Sequence, residues 1–249
     1  MPENQNNIPK IIHYIWVGPK PLPDSAKHLI DGWQKIMPDY EYKFWNNDNV
    51  DFGIKYIKEA AETRAWQRVA DYYRAAALAE HGGIYLDTDI EVRRRFDPLL
   101  PNHCFYGFQR EDDFPHEIVN VSIIGAEKGH WFMKETTDYF DNNMNGRDEV
   151  NAGTGPGLVT KLLRRNGLKH YSSEPMLVKD ITIYPREYFY PYHWEEKFTE
   201  SCITSNTYAI HHWDHSWAPQ TPPEKLRIKL KSGLYKLKSS IRKLVPTGS

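Results

Sequence analysis

Cysteine is nearly absent: Cys104 and Cys202 are the only two in 249 residues. Two thiols cannot build a disulfide framework, their spacing is no zinc signature, and they fit a reducing compartment. Charge of one sign is not in surplus either. The net charge is −1 at pH 7, which excludes binding to nucleic acid through the bulk charge of the chain. No apolar run reaches the roughly 18 residues that span a membrane. Residues 1–10, MPENQNNIPK, lack the apolar stretch of a secretory signal, so a cytoplasmic location is expected. There is no internal repeat, so a solenoid is excluded.

What the chain does have is enough apolar residue, 40%, for one large α/β domain or two small ones. Aromatics are plentiful, with eight Trp and sixteen Tyr. Most belong in a core, and some suit the wall of a groove for flat or sugar-like ligands. Residues 10–18 (KIIHYIWVG) are β-branched and aromatic and predict a first strand closed by Gly18-Pro19. A helix is predicted from Asp24 or Ser25 to Pro38, a strand over 40–46, and one or two helices over 54–83 closed by Gly82-Gly83. Further strands are predicted at 84–92, 104–109, 120–129, 181–191 and 207–213, with helices near 130–142 and 158–166. Strands alternating with helices predict an α/β fold with a mostly parallel central sheet flanked by helices.

The stretch GGIYLDTDIEV, residues 82–92, sets Asp87 and Asp89 two apart. On a strand they share a face. Two carboxylates beside a buried strand are costly unless something positive sits with them. A divalent cation suits carboxylate oxygens; pairing with Arg93, Arg94 or Arg95 is the alternative. Upstream, Asp71 and Arg74 stand one helical turn apart. They form either a surface ion pair of little consequence or a ligand pair, with the guanidinium binding an anion in bidentate fashion. The turn NAGTGPG (151–157) opens a helix, where free N–H groups suit anions or hydroxyls; it also reads as a plain turn.

The segments IPKIIHYIWVG, ADYYR…GGIYLDTD, GTGPG and AIHHWDHSW occur in this order over residues 8–217. Together they resemble the D-x-D sugar transferases of glycosyltransferase family 32 and, in the same segments, the glucosylating domains of large toxins. The resemblance implies a Rossmann-like GT-A fold, an activated sugar nucleotide, Mn2+ (or Mg2+), and retention of anomeric configuration. Asp89 would be a direct metal ligand, and Asp87 would contact ribose or metal-bound water. Trp16 would stack on a nucleobase, which points to a UDP-sugar. Asp71 and Arg74 would meet ribose, donor sugar or phosphate, and Asn120 would lie beside the donor sugar. A late metal ligand is expected among His211, His212 and His215, with His212 preferred by its spacing from Trp217. Ser216 and Trp217 match a closing loop that touches the diphosphate, while Thr154 and Gly155 fall on the acceptor side. With no carboxylate nucleophile identifiable, front-face substitution is the expected chemistry, with a phosphate oxygen taking the acceptor proton.

Composition changes at Pro222. Residues 222–245 hold eight Lys or Arg and one acid, and Leu226, Leu230, Leu234, Leu237, Ile241 and Leu244 recur at helical steps. The expectation is a domain at 1–221 followed by a basic amphipathic tail at 222–249. The tail would lie on an anionic membrane surface at the inner face of the cell membrane, near a lipid-linked oligosaccharide acceptor of the kind used in bacterial capsule or O-antigen synthesis. Competing readings are a phosphotransferase of the haloacid-dehalogenase type, which also carries D-x-D after a strand, and a non-catalytic glycan-binding module.

Overall fold

The structure is a computed structural model that describes residues 6–111, 118–142, 155–194 and 196–214. Thr154, His215, Ser216, Trp217 and the tail 222–249 lie outside the described residues. The architecture is α/β, built on a seven-stranded sheet in the order β2-β1-β3-β6-β5-β8-β7. The strands are β1 (Ile11–Ile15), β2 (Glu41–Trp45), β3 (Gly83–Leu86), β5 (Cys104–Phe108), β6 (Val119–Ala126), β7 (Met176–Val178) and β8 (Ile181–Tyr184). Five run in one direction, and β6 and β7 oppose them. The mostly parallel sheet expected from the alternation is present. A second, two-stranded antiparallel sheet pairs β4 (Ile90–Val92) with β9 (Ala209–His211).

Helices cover both faces. One core holds residues of α2 (Lys55–Glu62), α3 (Trp66–His81), α4 (Trp131–Asn142) and α5 (Gly155–Arg165). The other packs α1 (Asp24–Ile36) and the small sheet against the opposite face. Helix α1 turns Ala26, Ile30 and Trp33 inward and stops before Pro38, which disfavours helical geometry in the residue preceding it. The Trp33 indole donates to the Ile90 carbonyl at 2.7 Å, which ties α1 to β4. Helix α3 closes on Gly82 at φ +68, a conformation glycine adopts without strain.

Three predicted elements differ. The run at 84–92 is two strands in two sheets, broken at Asp87–Asp89. The amide of Ile90 donates to the Asp87 carbonyl at 3.2 Å, so the acids sit in a β-turn rather than on one strand face. The late strand expected to 191 ends at Tyr184, because Pro185 cannot donate to a ladder and the chain turns into a short 3-10 segment. Helix α5 begins at Gly155, inside the glycine-rich turn.

Candidate functional site

The D-x-D turn lies at the carboxyl end of β3, the edge of an α/β sheet where ligands usually bind. It is fixed from both sides. The Asp87 amide donates to the Ser122 carbonyl on β6 at 2.8 Å, and the Asp89 carbonyl accepts from the His212 amide at 3.1 Å. The side chains converge although they share no strand face. One donor atom each from Asp87, Asp89 and His211 lie within 4.8 Å of one another. Two carboxylates and an imidazole form a donor set that suits a manganese-like ion.

The Asp89 carboxylate lies 3.3 Å from His211 Nε2 and accepts the Asp214 amide at 3.0 Å. Burial pushes its pKa up, but His211 and the Asp214 amide outweigh that and leave it below the usual value. His212 does not join the cluster. Its Nε2 lies 2.9 Å from Glu91 Oε2, so it is His211, not the expected His212, that stands beside the two carboxylates. The reason is register: His211 is the last paired residue of β9, opposite Ile90, and the chain has left the strand one residue later.

Arg74 organises the inner side. Its guanidinium lies 3.1 Å from Asp71 and 3.4 Å from Asp87 Oδ1, and it donates to the Val121 carbonyl at 2.9 Å and the Ala70 carbonyl at 3.3 Å. The pair with Asp71 is therefore buried, not a surface pair. Without a ligand, the Arg74 guanidinium is turned to these protein partners. Asp87 Oδ1 also accepts from the Tyr85 hydroxyl at 2.7 Å. Burial raises the pKa of Asp71, against the pull of Arg74 and the Gly155 amide. Arg93, Arg94 and Arg95 are engaged elsewhere. Arg93 pairs with Glu91, Arg95 pairs with Asp39 and Asp97, and Arg94 stacks over Tyr208.

Gly155 packs against Asp71: a Cβ there would lie 2.6 Å from Asp71 Oδ1. Asn120 is buried on β6, donating to Gln109 and accepting the Ser122 amide at 2.8 Å. Trp16 lies outside both hydrophobic cores. It is part-exposed just beyond β1, with its indole donating to the Lys20 carbonyl at 2.7 Å. Two residues on, Gly18 and Pro19 line an open cleft of about 760 Å³ with Asn47, Phe52, Arg64 and Trp66.

Sequence reasoning missed the bulge that builds this edge. Between Phe105↔Gly125 and Gly107↔Asn120, β6 carries extra residues that β5 does not match. Freed from that ladder, Val121 O accepts Arg74 and Ile123 N donates to the Tyr190 hydroxyl at 3.1 Å, while on the β3 side Ser122 O accepts the Asp87 amide. Gly125 in GAEKG was the one cue, and it is ambiguous in a strand.

Two family descriptions match. Residues 23–106 match a glycosyltransferase sugar-binding region containing a DXD motif, and residues 125–233 match an α-1,4-glycosyltransferase conserved region. The chain is 27% identical to an uncharacterized glycosyltransferase of Acanthamoeba polyphaga mimivirus, over 85% of this chain and 84% of that one. It is 33% identical to inositol phosphoceramide mannosyltransferase 3 of Schizosaccharomyces pombe over 51% of the chain, and 28% identical to human lactosylceramide 4-alpha-galactosyltransferase over 59%. These matches span only 35% and 41% of those two proteins. Among solved structures, the PaToxG glycosyltransferase is similar in fold, with a TM-score of 0.51 and 20% identity over 64% of this chain and 69% of that one.

Proposed function

The chain belongs to the D-x-D sugar transferases, is a glycosyltransferase and has the GT-A fold; on that premise we propose a metal-dependent, retaining transfer of a hexose or N-acetylhexosamine from a UDP-sugar to a glycan carried on a lipid. The observation that carries the metal dependence is the convergence of Asp87, Asp89 and His211 within 4.8 Å. Those three residues would hold Mn2+ or Mg2+. When bound, the cation offsets the negative charge that grows on a departing diphosphate.

The chain's own groups do the positioning. Arg74 and Tyr85 fix Asp87 from within, and the Asp214 amide fixes Asp89. Asp71, partly neutralised by Arg74 and the Gly155 amide, offers its remaining oxygen to a donor hydroxyl. Trp16 and the cleft behind Gly18 suit a flat base and its ribose. Such fixed groups lower the barrier by orientation more than by covalent chemistry. The lipid-borne acceptor draws support from the names of two relatives, lactosylceramide and inositol phosphoceramide transferases. The phosphotransferase and glycan-binding alternatives draw no support from the family matches.

Thermal unfolding in the presence of UDP- and GDP-sugars, with and without Mn2+, tests the donor. A UDP-sugar at 100 times its Kd with Mn2+ is expected to raise Tm by about 5–10 °C, since such occupancy is worth about 2.7 kcal/mol. Incubating the stabilising donor with free and lipid-linked oligosaccharides, and reading the product anomer by proton NMR, tests acceptor and stereochemistry. No shift with any nucleotide sugar would remove the proposal.

A further inference from the structure

We propose that Ser122 is a positioning residue that sets the tautomer and aim of His211, and through it the preference of the site for Mn2+ over Mg2+. This rests on the metal reading given above. Ser122 is 1% exposed, in the bulged stretch of β6. It touches the site twice. Its carbonyl accepts the Asp87 amide at 2.8 Å, and its hydroxyl lies 3.4 Å from His211 Nδ1. One residue therefore spans both arms of the cluster, the turn after β3 and the end of β9.

The chemistry follows from the imidazole. His211 Nε2 faces Asp89 at 3.3 Å, so Nε2 is the atom aimed into the cluster. To offer a lone pair there, the ring must carry its proton on Nδ1. A buried Nδ1–H needs an acceptor, and Ser122 Oγ is the group placed for it. The Ser122 hydroxyl can accept because its own proton has an outlet in the Tyr190 hydroxyl, 3.3 Å away. Tyr190 is itself buried and anchored by the Ile123 amide at 3.1 Å. The chain Nδ1–H, Ser122 Oγ–H, Tyr190 Oη thus runs in one direction and fixes one tautomer. Trp213 packs against the ring, with centroids 4.0 Å apart and the planes tilted by 36°, but such a contact does not choose between tautomers. Outer groups of this kind commonly change metal affinity 10–100-fold.

The selectivity follows from ligand type. Imidazole suits manganese-like ions better than magnesium, which prefers oxygen. Loosening His211 therefore weakens Mn2+ more than Mg2+. Binding of each metal to the full chain is read by Mn2+ EPR, with Mg2+ as competitor, for wild type, Ser122→Ala, Ser122→Cys and His211→Ala. Both Ser122 variants are expected to bind Mn2+ about 10-fold or more weakly, with Mg2+ changed less than 3-fold, so that the ratio of affinities collapses toward that of His211→Ala. The thiol of Ser122→Cys nearly fills the same space but hydrogen-bonds weakly, and it carries the test should the alanine variant not fold. If the Ser122 variants keep the wild-type ratio while His211→Ala loses it, the positioning role is overturned and the metal site stands. If wild type binds neither ion, the metal reading falls and this proposal falls with it.

Discussion

His211 and His212 are chain neighbours with different surroundings. His211 is 8% exposed, packed against Trp213 and turned to Asp89; His212 is 33% exposed and bound to Glu91. If the imidazole of His211 is a ligand, His211→Gln should raise the Mn2+ concentration for half-maximal turnover about 10–100-fold. His212→Gln should change it less than about 3-fold, since that ring is bound to Glu91 and is not in the cluster. Initial rates against Mn2+ concentration decide this; equal effects of the two changes would refute the assignment. The sequence made the three histidines and the D-x-D pair conspicuous, but spacing pointed to His212 rather than His211. That choice depends on where β9 stops pairing, and a strand end is set by its partner, here β4, more than 100 residues upstream. Ser122 carried no signal at all: a serine in an apolar strand declares nothing until its neighbours across the sheet are known.

At the scale of elements, the site depends on how closely α3, α5 and β6 approach, and Gly155 sits where they meet. A methyl there would lie 2.6 Å from Asp71 Oδ1 and 2.9 Å from Val121 Cγ2. Gly155→Ala should therefore displace α5 or the Asp71 carboxylate, destabilise by about 1–3 kcal/mol and lower kcat/KM by more than 10-fold. Gly32 in α1 supplies the opposite case, because a methyl there meets nothing within 4 Å. Gly32→Ala should stabilise by about 0.5–1 kcal/mol with activity unchanged. Urea unfolding and steady-state rates on both variants check the pair, and a Gly155→Ala enzyme with wild-type stability and rate would contradict the packing described. The helices were legible because Ala26, Ile30 and Trp33, or Val69, Tyr72 and Tyr73, recur at helical steps with glycine or proline beyond them. The break of 84–92 into two strands was not, since Ile84, Leu86, Ile90 and Val92 continue the same alternation through the turn. The short strand β7 was missed because Met176, Leu177 and Val178 are all apolar: Leu177 is 68% exposed while Val178 is buried, but three residues show no alternation to read.

For the molecule as a whole, the alternation of strands and helices gave the layered architecture in advance, because covering a parallel sheet on both faces leaves few other solutions. It gave no hint that the sheet interior would hold an ionisable ring. His13 on β1 is fully buried, flanked by Trp45 and His81. Its Nδ1 accepts from the Trp45 indole at 3.1 Å, and its Nε2 lies 2.8 Å from the Gly82 carbonyl. The neutral ring with its proton on Nε2 satisfies both contacts, whereas a second proton would set Nδ1–H against the indole N–H. Burial accordingly lowers the pKa from 6.5 to about 4, only partly opposed by the Gly82 carbonyl. A base whose folded pKa is depressed binds more protons when unfolded, so stability rises with pH between the two values. On acidification, stability should start to fall near pH 6.5 and lose about 3 kcal/mol from this group by pH 4. Burial lowers the pKa of His130 as well, so it adds a contribution of the same sign. His13→Gln keeps a donor for Gly82 and an acceptor for Trp45 but cannot be charged. Urea unfolding of wild type and His13→Gln at half-unit steps from pH 7 to pH 4.5 should show the shallower slope in the variant. Identical slopes would mean that the ring takes up its proton inside the folded sheet, and that the Trp45–His13–Gly82 contact does not hold it neutral.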